Sequence, residues 1–244
     1  MKLVTFSNRV AKEILRDPLN LAFGLGFPVV LLVLLHAIAK NVPDSMTLFE
    51  MQNLAPGIAV FSQSFLTLFS ATVIAKDRGS ALLERLYTAP LSPAHFILGY
   101  MLPILPIALA QTAVCYLCAA VLGLPLQIHI LSALLMIIPI SLFYIALGLL
   151  CGSVFTDKQV GGICGALLTN LSAWLSGIWF DLELVGGAFF KIANLLPFVH
   201  AVEMERAALQ GAFDAVTPHI GWVIGYTTVV LIAAVLAFLH QMKK

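Results

Sequence analysis

Charge is what this chain has least of. Asp, Glu, Lys and Arg make up 10% of its 244 residues, against roughly 25% in soluble domains. Lys and Arg number 13 and Asp and Glu 12, for a formal net charge of +1. A water-soluble fold of this size cannot cover its surface with so few charges. The near-cancellation also removes the basic field that nucleic-acid binding needs. Cysteine is scarce as well. Cys115, Cys118, Cys151 and Cys164 all fall inside apolar runs, which excludes a disulfide scaffold. The Cys115-x-x-Cys118 pair has no second pair near it and reads as packing rather than as a metal or redox site.

Catalytic signatures are missing too. The sequence holds no Gly-x-x-x-x-Gly-Lys-Ser/Thr phosphate loop, and Gly161-Gly162 and Gly186-Gly187 lack the following lysine. No His-Glu-x-x-His or facing Ser/His arrangement suggests an intramembrane protease. His200 with Glu203 and Glu205 reads as a solvated helix face rather than a metal cluster.

What the chain has in abundance is apolar residues, 61% of the total. A bilayer core about 30 Å thick needs ~20 of them in helix. Six stretches qualify: Leu19–Ala39, Leu54–Ala75, Phe96–Leu122, His129–Val154, Val160–Phe180 and His219–Leu239. None contains Asp, Glu, Lys or Arg, each of which costs about 2.5–3.5 kcal/mol at a helix centre. The run from Leu19 exceeds the ~7–15 residues of a secretory signal and is expected to stay as the first span. Pro103, Pro106 and Pro139 predict kinks or a broken start in the third and fourth spans. With six spans, one side collects ten of the Lys and Arg residues and the other only Lys40, Lys191 and Arg206. The richer side is expected to be cytoplasmic, with both termini on it.

Between the spans lie three informative segments. Residues 1–17 repeat Leu3, Phe6, Val10 and Ile14 at helical spacing among basic residues, as in a helix lying in the membrane interface with its apolar side toward lipid. Leu184–Ala201 is apolar but interrupted by Gly186-Gly187, Lys191, Asn194 and Pro197. It reads as two half-helices of a re-entrant or interfacial hairpin. In residues 80–88, Ser80 can cap a short helix whose stripe is Leu82, Leu83, Leu86 and Tyr87, with Glu84, Arg85 and Thr88 beside it. That stripe fits lipid or a groove on a soluble partner.

Polar residues inside the spans are few. Gln63, Thr67 and Ser70 share one face of the second span. Thr169, Ser172 and Ser176 lie together in the fifth, with Asn170 alongside. Either they line a translocation path or they glue helices together. No span holds a carboxylate, so a proton-coupled carrier is poorly supported.

Several motifs carry a family resemblance. Arg78-Gly79 is followed by Leu83-Glu84-Arg85-Leu86 and Thr88-Ala89-Pro90-Leu91-Ser92, then by Ile97-Leu98-Gly99-Tyr100 opening the third span. Leu175-Ser176-Gly177-Ile178 and Leu195-Leu196-Pro197-Phe198-Val199-His200-Ala201 follow. In this order the motifs resemble those of type-2 ATP-binding-cassette exporter permeases, and the likeness spans nearly the whole chain. It implies an all-α membrane protein, with 1–244 as one permease domain. The interfacial helix is at 1–17, the coupling helix at 80–88 and the re-entrant outer hairpin, broken near Asn194 and Pro197, at 184–201. The resemblance also implies a homodimer or heterodimer of permeases in the cytoplasmic membrane. Separate ATPase subunits would bind ATP and Mg, and this chain would carry no cofactor of its own. The expected cargo is amphipathic or hydrophobic: a drug, an antimicrobial, a lipid-linked molecule or a peptide. The alternative is a stand-alone carrier or channel.

Overall fold

The computed structural model describes residues 2–41, 47–80 and 93–241. Among them there is no strand. Helices α1 (Lys2–Leu15) and α2 (Pro18–Asn41) open the chain. A short 3-10 turn at Thr47–Phe49 leads into α3 (Met51–Arg78). Then come α4 (Pro93–Met101), α5 (Leu105–Val121) and α6 (His129–Val154). A composite run follows: α7 (Asp157–Val160), a π-helical stretch (Gly161–Leu168) and α8 (Thr169–Trp174). The chain ends with α9 (Leu182–Val185), α10 (Gly187–Leu195), α11 (Pro197–Gln210) and α12 (Phe213–Gln241).

Among the described residues, five segments are long and apolar enough to cross a membrane: Leu21–Asn41, Met51–Arg78, His95–Val121, His129–Val154 and Phe213–Gln241. The third is broken at Leu102–Ile104, between α4 and α5, where Pro103 removes a backbone donor. The expected fifth span, Val160–Phe180, is not one continuous α-helix. Helix starts at Asp157, where the Thr156 backbone N–H donates to Gln159 Oε1 at 3.0 Å in a capping box. It ends at Trp174, six residues before the predicted limit, and Gly177 turns the chain with a φ of +69°. Within the run, Thr169 Oγ1 donates to the Cys164 carbonyl, five residues back, at 2.9 Å.

The core sits around α3. Its most apolar stretch is 89% buried, against 17% for those of α2 and α12, so α3 is central and the other two are peripheral. α6 approaches α3 closely because Gly148 and Gly152 carry no side chain. A Cβ on Gly152 would lie 2.6 Å from the Ala71 carbonyl oxygen, and one on Gly148 would overlap Ser70 Oγ. Small residues that let backbones meet are how helices associate where lipid gives no hydrophobic drive.

Two sequence expectations are corrected. The apolar stripe of α1 faces protein, not lipid: Phe6, Val10 and Ile14 are buried. Phe6 packs edge-on against Phe96 and Tyr100, with centroids 5.9 and 5.0 Å away. Gly99 leaves the space for its ring. The segment around Glu203 is not a solvated face either. α11 is buried along most of its length, with Glu205 fully covered. Leu196, in extended conformation, separates α10 from α11, and α11 runs on to Gln210.

Candidate functional site

Polar side chains gather in three places along α3. Its 28 residues span about 42 Å at ~1.5 Å per residue, so Asn53 and Asp77 mark opposite ends.

At the Asp77 end, α1 is tethered to α3. Arg9 Nη1 donates to Asp77 Oδ2 at 2.6 Å and Nη2 to Oδ1 at 2.5 Å. Arg9 Nη2 also donates to Glu13 at 2.8 Å, and the Tyr100 hydroxyl donates to Asp77 Oδ2 at 2.8 Å. The Asp77 hydrogen bond raises the Arg9 pKa further, and partial burial raises that of Glu13. The next residue, Arg78, donates to the carbonyls of Ser153 and Phe155, closing the end of α6. This cluster therefore holds the point where α3 passes into residues 81–92. The coupling residues expected from the sequence, Leu82, Leu83, Glu84, Arg85, Leu86, Tyr87 and Thr88, lie outside the described residues.

In the middle, Gln63 joins three helices. Its Nε2 donates to Thr112 Oγ1 and Ser62 Oγ, both at 3.1 Å, and to the Ala59 carbonyl at 3.2 Å. Its Oε1 accepts from Ser141 Oγ at 3.1 Å. Thr67 Oγ1 donates to the Tyr144 carbonyl at 2.9 Å, and Ser70 Oγ to the Leu66 carbonyl at 2.6 Å. All three residues are buried within one chain. In the composite run and the turn after it, Thr169, Ser172 and Ser176 are buried as well, and each hydroxyl bonds to a carbonyl three to five residues back. Asn170 is exposed, its amide donating to the Ala166 carbonyl at 2.8 Å.

At the Asn53 end, the charges of α11 point to separate partners. Arg206 donates to Glu203 at 2.7 Å and to the carbonyls of Asn53 and Gly177, both at 3.2 Å. Glu205 accepts from the Tyr116 hydroxyl at 2.8 Å, while its other oxygen is buried without a protein partner. Burial pushes its pKa up to about 8. His200 bonds to His219 and to the Asn194 carbonyl. Because His200, Glu203 and Glu205 diverge, they do not converge on a common metal position.

The ABC-2 type transporter family model matches residues 1–209. The chain belongs to that family. No curated protein matches the chain. ABC-2 chains are the membrane subunits of type-2 ABC transporters, so this is a multi-pass transport subunit and not itself an enzyme.

Beside these buried clusters, the ABC-2 chain presents two open polar surfaces. One is the open face of the composite run, where Asn170 and Trp174 are exposed. The other is an open cavity of about 800 Å3 at the Asn53 end, lined in part by Asp181, Glu183, Glu203, Arg206 and His219. Sequence reasoning missed Asp77 and Tyr116, named Tyr100 only within a motif, and placed Glu205 on a solvated face. Their partners are 68 residues away for Asp77 and 89 for Tyr116. No local pattern marks such pairs.

Proposed function

We propose that this chain is the permease of an ABC exporter for an amphipathic or hydrophobic substrate, driven by separate ATPase subunits. The family match over residues 1–209 carries the reading. Two features support it. These 244 residues hold no phosphate loop, as fits a permease whose nucleotide energy is supplied from an ATPase subunit. The spans hold few charges, which favours cargo that tolerates an apolar route. ATP and Mg would bind on the ATPase, and this chain would hold no cofactor.

In this reading the composite run Asp157–Trp174, with the turn after it, is the fifth of six crossings. The Asp77 end is cytoplasmic, as are both termini, because most Lys and Arg residues fall there. Residues 80–88 form the coupling helix. The Asn53 end faces outward, with the segment 184–201 as a re-entrant element. A second permease copy, identical or closely related, completes the path. Asn170 and Trp174 are the residues of the fifth crossing assigned to that path. Gln63, Thr67 and Ser70 are assigned to holding helices, since their hydrogen-bonding atoms are spent inside the subunit.

Copurification from the native membrane, followed by reconstitution with ATP, tests this. A stoichiometric ATPase and nucleotide-dependent movement of a fluorescent amphiphile are expected. Transport without a nucleotide-hydrolysing partner would make the chain a carrier or channel instead.

A further inference from the structure

Two histidines from different helices meet ring to ring near the break before Pro197. His200 of α11 and His219 of α12 bring their Nδ1 atoms to 2.9 Å. His200 Nε2 lies 2.9 Å from the Asn194 carbonyl at the end of α10. A carbonyl only accepts, so His200 Nε2 carries a hydrogen. In neutral His200 the Nδ1 is then a bare lone pair, and the contact is a bond only if His219 Nδ1 supplies the hydrogen. Both tautomers are thereby assigned, and His219 Nε2 is left as the basic nitrogen.

The surrounding contacts make this a joint between elements. The His200 ring lies flat on Trp222, with centroids 4.8 Å apart and planes at 15°. Trp222 in turn stacks on Tyr226 at 6.1 Å and 20°. The Tyr226 hydroxyl donates to the Leu195 carbonyl at 2.7 Å. Together these contacts fasten α10 and α11 to α12.

Proton arithmetic follows from the tautomers. A first added proton goes to His219 Nε2 and leaves the bond between the rings intact. A second can go only to His200 Nδ1. That sets two N–H groups and two positive charges face to face at hydrogen-bond distance, which like-charge repulsion opposes. The charged neighbours are few. On α11, Glu203 favours protonation of His200 but is shared with Arg206. Asp181 and Glu183 line the cavity that His219 also lines. α10 presents the Asn194 carbonyl, and its Lys191 is exposed; Asp214, at the start of α12, is exposed too. Burial, the largest effect on His200, holds its pKa below the ordinary value.

We propose that His200 and His219 form a proton-sensitive clasp, which holds α10 and α11 on α12 while the pair carries at most one extra proton and releases them when it takes a second. The sign is that of a depressed base: the clasp is intact at neutral pH and lost as the medium becomes acid.

The full chain in lipid nanodiscs tests this without ATPase or cargo, so its failure is separate from that of the transport reading. Trp174→Phe with Trp179→Phe leaves Trp222 as the single tryptophan. Its emission is expected to change on acidification, as the imidazole stacked on it charges and separates. His219→Gln should move the midpoint to higher pH, because His200 then titrates without a cationic neighbour. His200→Gln should lose the transition. In the wild-type chain, hydrogen exchange should show protection of α10 and the first turns of α11 falling across the same midpoint. Flat emission, an unmoved midpoint in His219→Gln, or unchanged protection would each overturn the clasp.

Discussion

Arg9 grips Asp77 with both ends of its guanidinium, at 2.6 and 2.5 Å, across 68 residues of sequence. The carboxylate is almost fully buried, and the Tyr100 hydroxyl shares it. A bidentate pair of this kind fixes orientation as well as distance. It ties the first helix to the end of α3, next to the segment assigned to coupling.

Replacing Asp77 with Ala strands both the Arg9 guanidinium and the Tyr100 hydroxyl, and is expected to cost about 1–3 kcal/mol. Arg9→Ala should cost more, because it leaves the almost fully buried Asp77 carboxylate without its cation. The exchange Arg9→Asp with Asp77→Arg should recover part of the loss. Thermal unfolding of the purified subunit measures all three, and equal losses with no recovery would count against a specific pair.

Gln63 separates gluing from path lining. Gln63→Leu keeps most of the side-chain volume, and Thr112 and Ser141 retain their own-helix carbonyls. Its cost should be near the ~0.6 kcal/mol typical of one hydrogen bond between membrane helices. Gln63→Ala leaves a cavity and should approach the ~2–5 kcal/mol of large core truncations. Transport by the Leu variant should stay close to wild type. A large transport loss at unchanged stability would return Gln63 to the path.

Glu205 gives a pH dependence with a definite sign. Its pKa is about 8 in the fold, well above the ~4.3 of an unfolded glutamate. The native state therefore holds a proton that the unfolded state releases. The associated stability is complete below the unfolded value and is lost as pH rises through the folded one. Wild-type melting temperature should fall between mildly acid and alkaline pH, while Glu205→Gln should lack this component and be the more stable form in alkali.

Residues 80–88 test the energy input. Glu84→Lys or Leu86→Asp should leave membrane insertion intact and uncouple ATP hydrolysis from transport in the reconstituted complex. Full transport in both variants would remove residues 80–88 from that role.

The sequence alone determined that this chain is helical and a multi-pass membrane protein, and where four of its candidate spans lie to within three residues at each end. Clean apolar runs free of Asp, Glu, Lys and Arg suffice, because hydrocarbon penalises every unpaired charge and every unpaired backbone group. Pro103 likewise announced the break in the third crossing. Only tertiary structure decided which way polar groups face. Leu3, Phe6, Val10 and Ile14 have a spacing that suits lipid or protein equally, and it was the gap at Gly99 that turned Phe6 inward. Glu203, Glu205 and Arg206 look like a wet helix face until Tyr116 and Asn53 are brought to them. The composite fifth run is the same lesson: Val160–Phe180 is uncharged throughout, but its π-helical stretch and its early end reflect backbone hydrogen bonding, to which a count of apolar residues is blind.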